Sequence, residues 1–243
     1  MTQESFTIRK QTLAAEDTYR LELAGNTGEL RTPGQFVNVA LPGSFLRRPF
    51  CVCSWDEGSM TLLYKVVGEG TRQLSALTEG TQLDVLVGLG NGFDTRESGD
   101  APLLCGGGLG AAPMYALCRA LRSEGKDVTV LLGFNTSREI VLEEEFTRLG
   151  VRLTLFTLDG SAGHKGFVTD LMPALHYSYV YSCGPMPMMR AVSDAAVTGA
   201  QLSLEARMAC GFGACVGCSI PTADGPRRVC KDGPVFRKEE IVW

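Results

Sequence analysis

Four cysteines near the C-terminus carry the most specific chemistry in the chain. Met208-Ala-Cys210-Gly-Phe-Gly-Ala-Cys215-Val-Gly-Cys218, followed by Cys230, gives the spacing C-x4-C-x2-C-x11-C. The first three members have the spacing with which thiolates hold a [2Fe–2S] cluster. Glycines at 211, 213 and 217 allow backbone N–H groups to approach the cluster sulfurs and tune its potential. Structural zinc also takes four cysteines, but usually as two close pairs, whereas this set is three plus one. A disulfide pair leaves the density of cysteines in this short segment unexplained.

Two further loops are suited to a dinucleotide. Gly106-Gly107-Gly108-Leu109-Gly110 follows Leu103-Leu104-Cys105 and precedes a helical pattern. Such a turn brings a pyrophosphate to a helix N-terminus, although a plain strand-to-helix turn also uses glycine. Cys183-Gly184-Pro185-Met186 ends a later apolar run and, taken alone, is a turn. Ligands of open α/β sheets bind at the carboxyl ends of strands, so the two loops together can face one ligand.

In the first half, Arg47-Arg48-Pro49-Phe50-Cys51-Val52 places two arginines at a strand start, within reach of a diphosphate or simply exposed. Gly70-Thr71 opens a short helix that can offer its N-terminus to the same phosphate. The only histidines, His164 and His176, lie in loop or surface segments without triad or metal-site neighbours, so hydrolysis is disfavoured. The acidic run Glu139, Glu143, Glu144 and Glu145 reads as a solvated helix face.

The elements that must position these groups change period along the chain. Alternating runs at Phe6–Lys10, Tyr19–Leu23, Phe36–Ala40, Met60–Val67 and Gln82–Val87, parted by turn residues, predict a β barrel or sandwich, with a helix only at Thr71–Leu77. Beyond residue 101, strands at Leu103–Cys105, Val128–Leu132, Arg152–Phe156 and Tyr179–Cys183 alternate with helices at Pro113–Ser123, Ile140–Leu149 and Pro187–Val197. That order predicts βαβ units and a parallel sheet. The expected division is 1–97, 98–200 and a cysteine-rich segment 201–243, with the first boundary in Asp94–Pro102. The last segment is too short for its own core, so metal binding organises it.

The chain has 243 residues, 44% hydrophobic and 21% charged, with a net charge of −4 and no basic run. This composition describes a globular protein and disfavours nucleic acid. Ala101 to Cys118 is uncharged but rich in glycine and proline, so it reads as strand, loop and helix start rather than a membrane span. The N-terminus lacks the apolar core of a signal peptide. Nine cysteines, five of them (51, 53, 105, 118 and 183) scattered without framework spacing, fit a reducing cytoplasm.

Three features occur in a fixed order: an Arg-Pro-Phe-Cys strand, a GGGLG loop and a C-terminal cysteine cluster. The first two resemble the ferredoxin–NADP reductase superfamily. With the cluster segment and Arg228-Val-Cys-Lys-Asp-Gly-Pro-Val-Phe236 added, the whole chain is similar to the family of electron-transfer subunits of class B, NAD-dependent dihydroorotate dehydrogenase. The resemblance implies FAD on Arg48, Pro49, Phe50 and Cys51, on Leu63, Tyr64 and Lys65, and on Gly70 and Thr71. It implies a [2Fe–2S] cluster on Cys210, Cys215, Cys218 and Cys230. It further implies NAD at Gly106, Gly107, Gly108, Leu109 and Gly110 and at Cys183, Gly184, Pro185 and Met186. Cys51 departs from the family pattern, which has Ser or Thr there, and a thiol is a weak donor.

The implied partner is an FMN-containing catalytic subunit that oxidises dihydroorotate to orotate in pyrimidine (UMP) biosynthesis, in a heterotetramer of two copies of each subunit. Electrons would pass from that FMN to the cluster, to FAD and to NAD+, with no acid–base residue for dihydroorotate in this chain. Two other readings stay open at this point: a flavin reductase subunit working between NAD(P)H and ferredoxin, and a non-catalytic scaffold holding zinc.

Overall fold

The computed structural model describes residues 1–243. The alternating runs of the first half form β1 (Thr2–Ala15), β2 (Thr18–Ala24), β3 (Phe36–Val39), β4 (Arg48–Asp56), β5 (Ser59–Lys65) and β6 (Gln82–Leu89), with α1 (Glu69–Ser75) between the last two. They close into a barrel in the order β1-β2-β5-β4-β3-β6. Closure pairs every edge, and the period of two sends one face of each strand inward. Phe6, Ile8, Leu21, Leu23, Val37 and Val85 are among the side chains buried there.

The second half is the expected parallel sheet. Its elements are β7 (Pro102–Gly107), α2 (Ala111–Ser123), β8 (Thr129–Phe134), α3 (Glu143–Arg148), β9 (Arg152–Thr157), β10 (His164–Lys165), β11 (Tyr179–Cys183), α4 (Met186–Ala195) and β12 (Ala200–Ser203). The strand order β10-β9-β8-β7-β11-β12 runs outward from β7 and then returns to its other side. The direction therefore reverses between β7 and β11, where the two glycine-bearing loops meet.

α3 is shorter than the expected Ile140–Leu149. Ile140 is extended and Leu142 adopts a left-handed conformation (φ 64°), so the helix starts only at Glu143. Barrel and sheet share one core, in which Cys53 and Leu63 of the barrel pack with Leu104, Ala112 and Leu117 of β7 and α2.

The C-terminal segment holds β13 (Ser219–Ile220), β14 (Arg227–Arg228), α5 (Val229–Asp232) and β15 (Val235–Arg237). β15 runs antiparallel to β12, pairing Val235 with Ser203, and completes a seven-stranded sheet. Cys218, Val229, Cys230 and Phe236 pack into the core formed by Leu103, Val180, Met189 and Leu202. The segment thus borrows the core of the sheet, as its length requires. No helix is long and apolar enough to cross a membrane.

Asn91, just beyond β6, serves β15 as a substitute strand partner. Its Nδ2 donates to the Val235 carbonyl (2.8 Å) and its Oδ1 accepts the Val235 N–H (3.1 Å). Replacing it with alanine removes both bonds from a part-buried site. Asn91→Ala is expected to lower unfolding stability by about 1–3 kcal/mol, read by chemical denaturation.

Candidate functional site

The glycine loops are in van der Waals contact because they lack side chains. A Cβ on Gly110 would stand 2.0 Å from the Cys183 carbonyl oxygen, and one on Gly107 would stand 2.4 Å from Met188 Sδ and 2.8 Å from Pro185 Cδ. Gly106 instead packs against Leu132, where a Cβ would come within 2.7 Å of its side chain. Gly107, Gly108 and Pro185 line a cleft of about 530 Å³ across the carboxyl ends of β7, β8 and β9, with Asn135, Glu139 and Phe167 on its walls. Its size and place suit part of a dinucleotide. Met186, at the start of α4, is largely exposed outside this lining.

Glu139 corrects the reading of the acidic run as a solvated face. Its Oε1 accepts from Lys65 Nζ at 2.8 Å, and its Oε2 accepts from Asn135 N (3.1 Å) and Nδ2 (2.8 Å). Glu145 pairs with Arg20, so two members of the run reach across to the barrel. The sequence shows the carboxylates, but the fold supplies the opposing cations. Lys65 is therefore committed to an ion pair at the edge of the cleft, and Arg138 pairs with Glu16 at 3.6 Å.

A second cavity, of about 220 Å³, lies between the two halves. Pro49, Phe50 and Cys51 of β4, Leu63 of β5, Leu109, Cys183 and residues 203–206 and Met208 line it. Its walls are mainly apolar, as suits an aromatic ring system. Burial, with the nearby Glu205 carboxylate, pushes the Cys51 thiol up to about 12, and burial also holds Cys183 well above its ordinary value. Neither thiol is ionised at neutral pH, so neither is a nucleophile here.

Glu205 itself borders the cavity, its carboxyl raised by the surrounding protein although its outer face meets solvent. The sequence reading passed over it, since a lone glutamate beside the cysteine motif carries no spacing signal.

The other expected flavin contacts divide. Arg48 folds over Gly70, whose absent Cβ would lie 2.4 Å from Arg48 Nε, and donates to the Leu46 carbonyl at 2.6 Å. Arg48 and Gly70 are thus brought together beside β4. The Thr71 hydroxyl accepts from Val67 N (2.9 Å) and Gly68 N (3.1 Å), closing the turn before α1. Tyr64 faces the barrel core, stacked on Tyr19 with ring centroids 5.6 Å apart and donating to Gln11 Oε1 at 3.1 Å. Arg47, which the sequence leaves either within reach of a diphosphate or simply exposed, is held by Asp84, with Nη2 2.7 Å from Oδ2.

The four cysteines of the C-terminal loop converge as two pairs. Cys210 and Cys215 have sulfurs 3.4 Å apart, and Cys218 Sγ accepts the Cys230 N–H at 3.5 Å. No three of the thiols close on a single point. Two pairs are the division that a two-iron, four-thiolate centre has. Gly211 (φ 74°) and Gly213 (φ 90°) turn the loop so that N–H groups face Cys210. Burial opposes ionisation of Cys210, but the N–H groups of Cys215, Phe212 and Ala214 outweigh it and bring the thiol down to about 6. Cys230 goes the other way, to about 12, through burial and its neighbours Cys218 and Cys210. Four thiolates crowd here only if a cationic centre compensates them, so the donor set fits an iron–sulfur cluster.

A barrel cavity beside a nucleotide cleft, with a cysteine loop at their junction, defines an oxidoreductase of the ferredoxin-reductase type. Residues 104–194 match the oxidoreductase NAD-binding domain family, and residues 205–242 match the iron–sulfur cluster binding domain of dihydroorotate dehydrogenase B. The chain belongs to the family of dihydroorotate dehydrogenase B (NAD(+)) electron transfer subunits. It is 39% identical to the member from Fusobacterium nucleatum, with 98% of each chain covered, and 42% identical to one from Listeria monocytogenes, with 99% of each covered. Among solved structures it is similar to an NADH-dependent reduced ferredoxin–NADP oxidoreductase (TM-score 0.88, 32% identity, 98% of this chain and 90% of the other). Phthalate dioxygenase reductase shares the fold (TM-score 0.65, 20% identity, 79% and 63% covered).

Two outcomes follow for the cleft. Gly107→Val drives a side chain into Met188 and Pro185, and is expected to raise the KM for NADH at least about tenfold while bound flavin per chain stays constant. The Glu139 carboxyl is opposed by burial but held below its usual value by Lys65 and Asn135, while the Lys65 hydrogen bond raises the amine. A depressed carboxyl adds stability that is present above its unfolded pKa of about 4.3 and is lost as pH falls through the folded value. Denaturation of Glu139→Gln beside the parent is expected to show a gap at pH 7 that closes below about pH 4.

Proposed function

We propose that this chain carries electrons from the FMN of a dihydroorotate-oxidising catalytic subunit to NAD+, by way of a [2Fe–2S] cluster and FAD, in pyrimidine (UMP) biosynthesis. One observation carries the reading: the cavity beside β4 shares one wall with each of the other two sites. Leu109 and Cys183 belong to the nucleotide loops, and residues 204–206 and Met208 lead directly into Cys210. A group in that cavity is flanked by both. A flavin exchanges electrons in pairs with nicotinamide and singly with an iron–sulfur cluster, and so suits the middle position.

The residues then have distinct tasks. Pro49, Phe50, Cys51 and Leu63 wall the ring, with Arg48, Gly70 and Thr71 beside the strand for the remainder of FAD, and Tyr64 and Lys65 supporting from β5. Lys65 acts through Glu139, which ties the barrel to the nucleotide cleft. Gly106 and Gly110 let β7 approach α2 and β11 closely, while Gly107, Gly108, Leu109 and the Cys183–Met186 turn form the bed for NAD. Cys210, Cys215, Cys218 and Cys230 hold the iron, and the N–H groups around Cys210 stabilise negative charge on sulfur. The chain divides accordingly into 1–97 for FAD, 98–200 for NAD and 201–243 for the cluster. The assembly is a cytoplasmic heterotetramer of two copies of each subunit.

A second reading has its own support: the 32% identity to an NADH-dependent reduced ferredoxin–NADP oxidoreductase favours a chain that works with ferredoxin. Purification with its partner separates the two, because an FMN-containing dehydrogenase that reduces NAD+ with dihydroorotate fits only the first. An absorption spectrum before and after anaerobic NADH, with iron and flavin assays, tests the shared core. Two irons and one FAD per chain, bleached by NADH, are expected; zinc without flavin would overturn both readings.

A further inference from the structure

Asn38 stands on β3, inside the barrel wall, and is 1% exposed. Its Nδ2 donates to the backbone carbonyl of Cys210 at 3.0 Å. This is the only hydrogen bond between residues 205–218 and the barrel. Its Oδ1 is buried with no partner. A buried amide with an unmet acceptor lowers stability, and an apolar side chain would suit the barrel wall better. The bond to Cys210 is what the amide contributes at this position.

The loop is shaped to receive it. Gly211 has φ 74°, and a Cβ there would lie 2.2 Å from Asn38 Nδ2. Any larger residue would push the loop off the barrel. From the barrel side, Arg47 Nη1 donates to the carbonyls of Asn38 (3.4 Å) and Asp84 (3.0 Å), and Arg47 is paired with Asp84. Asn38 is also registered opposite Pro49, which walls the central cavity. The contact therefore joins the first cysteine of the loop to the strand next to the cavity.

We infer that Asn38 is a positioning residue that fixes the cluster loop against the flavin barrel and raises the cluster's potential through Cys210. The inference rests on the cluster reading above. Held at the Cys210 carbonyl, the loop turned by Gly211 (φ 74°) and Gly213 (φ 90°) keeps its N–H groups toward Cys210 Sγ, which accepts the Cys215 N–H at 3.4 Å. N–H···S bonds favour the more negative, reduced cluster. Releasing the carbonyl lets those groups turn away, so the cluster becomes harder to reduce.

The test is a redox titration followed by electron paramagnetic resonance on the complete chain with its catalytic partner. It compares the parent with Asn38→Leu, which keeps the branching at Cγ but cannot donate, and with Gly211→Ala, which displaces the amide from the loop side. At fixed potential, both variants are expected to show a roughly fivefold lower ratio of reduced to oxidised cluster, the equivalent of about one net hydrogen bond, together with a changed signal shape. Flavin absorption should not change. If Asn38→Leu fails to fold, Gly211→Ala decides alone. A parent with an iron–sulfur signal and variants with the same signal and potential would overturn the role of Asn38. A parent that binds zinc and gives no such signal would overturn the cluster reading, and this inference with it.

Discussion

The arrangement of sites depends on one pairing, that of β15 with β12. The chain leaves the sheet after Ser203 and returns at Val235, directly opposite. Leu204 N bonds the Pro234 carbonyl at 2.9 Å, so the intervening stretch begins and ends one strand-spacing apart. Everything in it, including four cysteines, is an excursion from the carboxyl end of β12. That end is also where β7 and β11 present their glycine loops. A ladder of three residue pairs thus brings the four cysteines beside the cavity that borders the nucleotide cleft.

Electrostatics complete what the hydrophobic core begins. Barrel and sheet already share buried side chains, and charge pairs follow the seam: Arg20 with Glu145, Lys65 with Glu139, and Arg119 with Asp56. Such pairs, partly exposed, add little to stability individually. Their effect is orientation. Lys65 on the barrel and Glu139 at the cleft edge meet at 2.8 Å and tie the two halves together beside the shared core.

Much of this was legible in the residues. The period of two in the first half points to a barrel or sandwich, the alternation of strand and helix in the second to a parallel sheet, and the C-x4-C-x2-C spacing to the cysteine loop. What escaped was of another kind. β12 is four residues, all buried, and β15 is three, with Val235 and Phe236 buried, so neither is long enough to show an alternating pattern. Glu139 looked like part of a solvated helix because its partner lies 74 positions away. For Arg47 the sequence leaves a diphosphate contact and plain exposure both open, because nothing local points to Asp84. Asn38 passes as one more residue of a strand, because its role depends on Gly211, far along the chain. Local pattern yields elements; the partners of isolated polar groups appear only when the elements are assembled.

The scattered cysteines have a consequence for how the protein matures and fails. Burial lifts Cys51, Cys53, Cys105 and Cys118 to about 12, and Cys183 is also raised, while Cys210 is poised near 6. Thiolates, not thiols, capture metals and react with oxidants. The five scattered thiols therefore compete poorly for incoming metal, which leaves the cysteine loop as the place where it can bind. The same difference makes that loop its point of vulnerability, because peroxide meets at Cys210 a thiol more readily ionised than the buried ones.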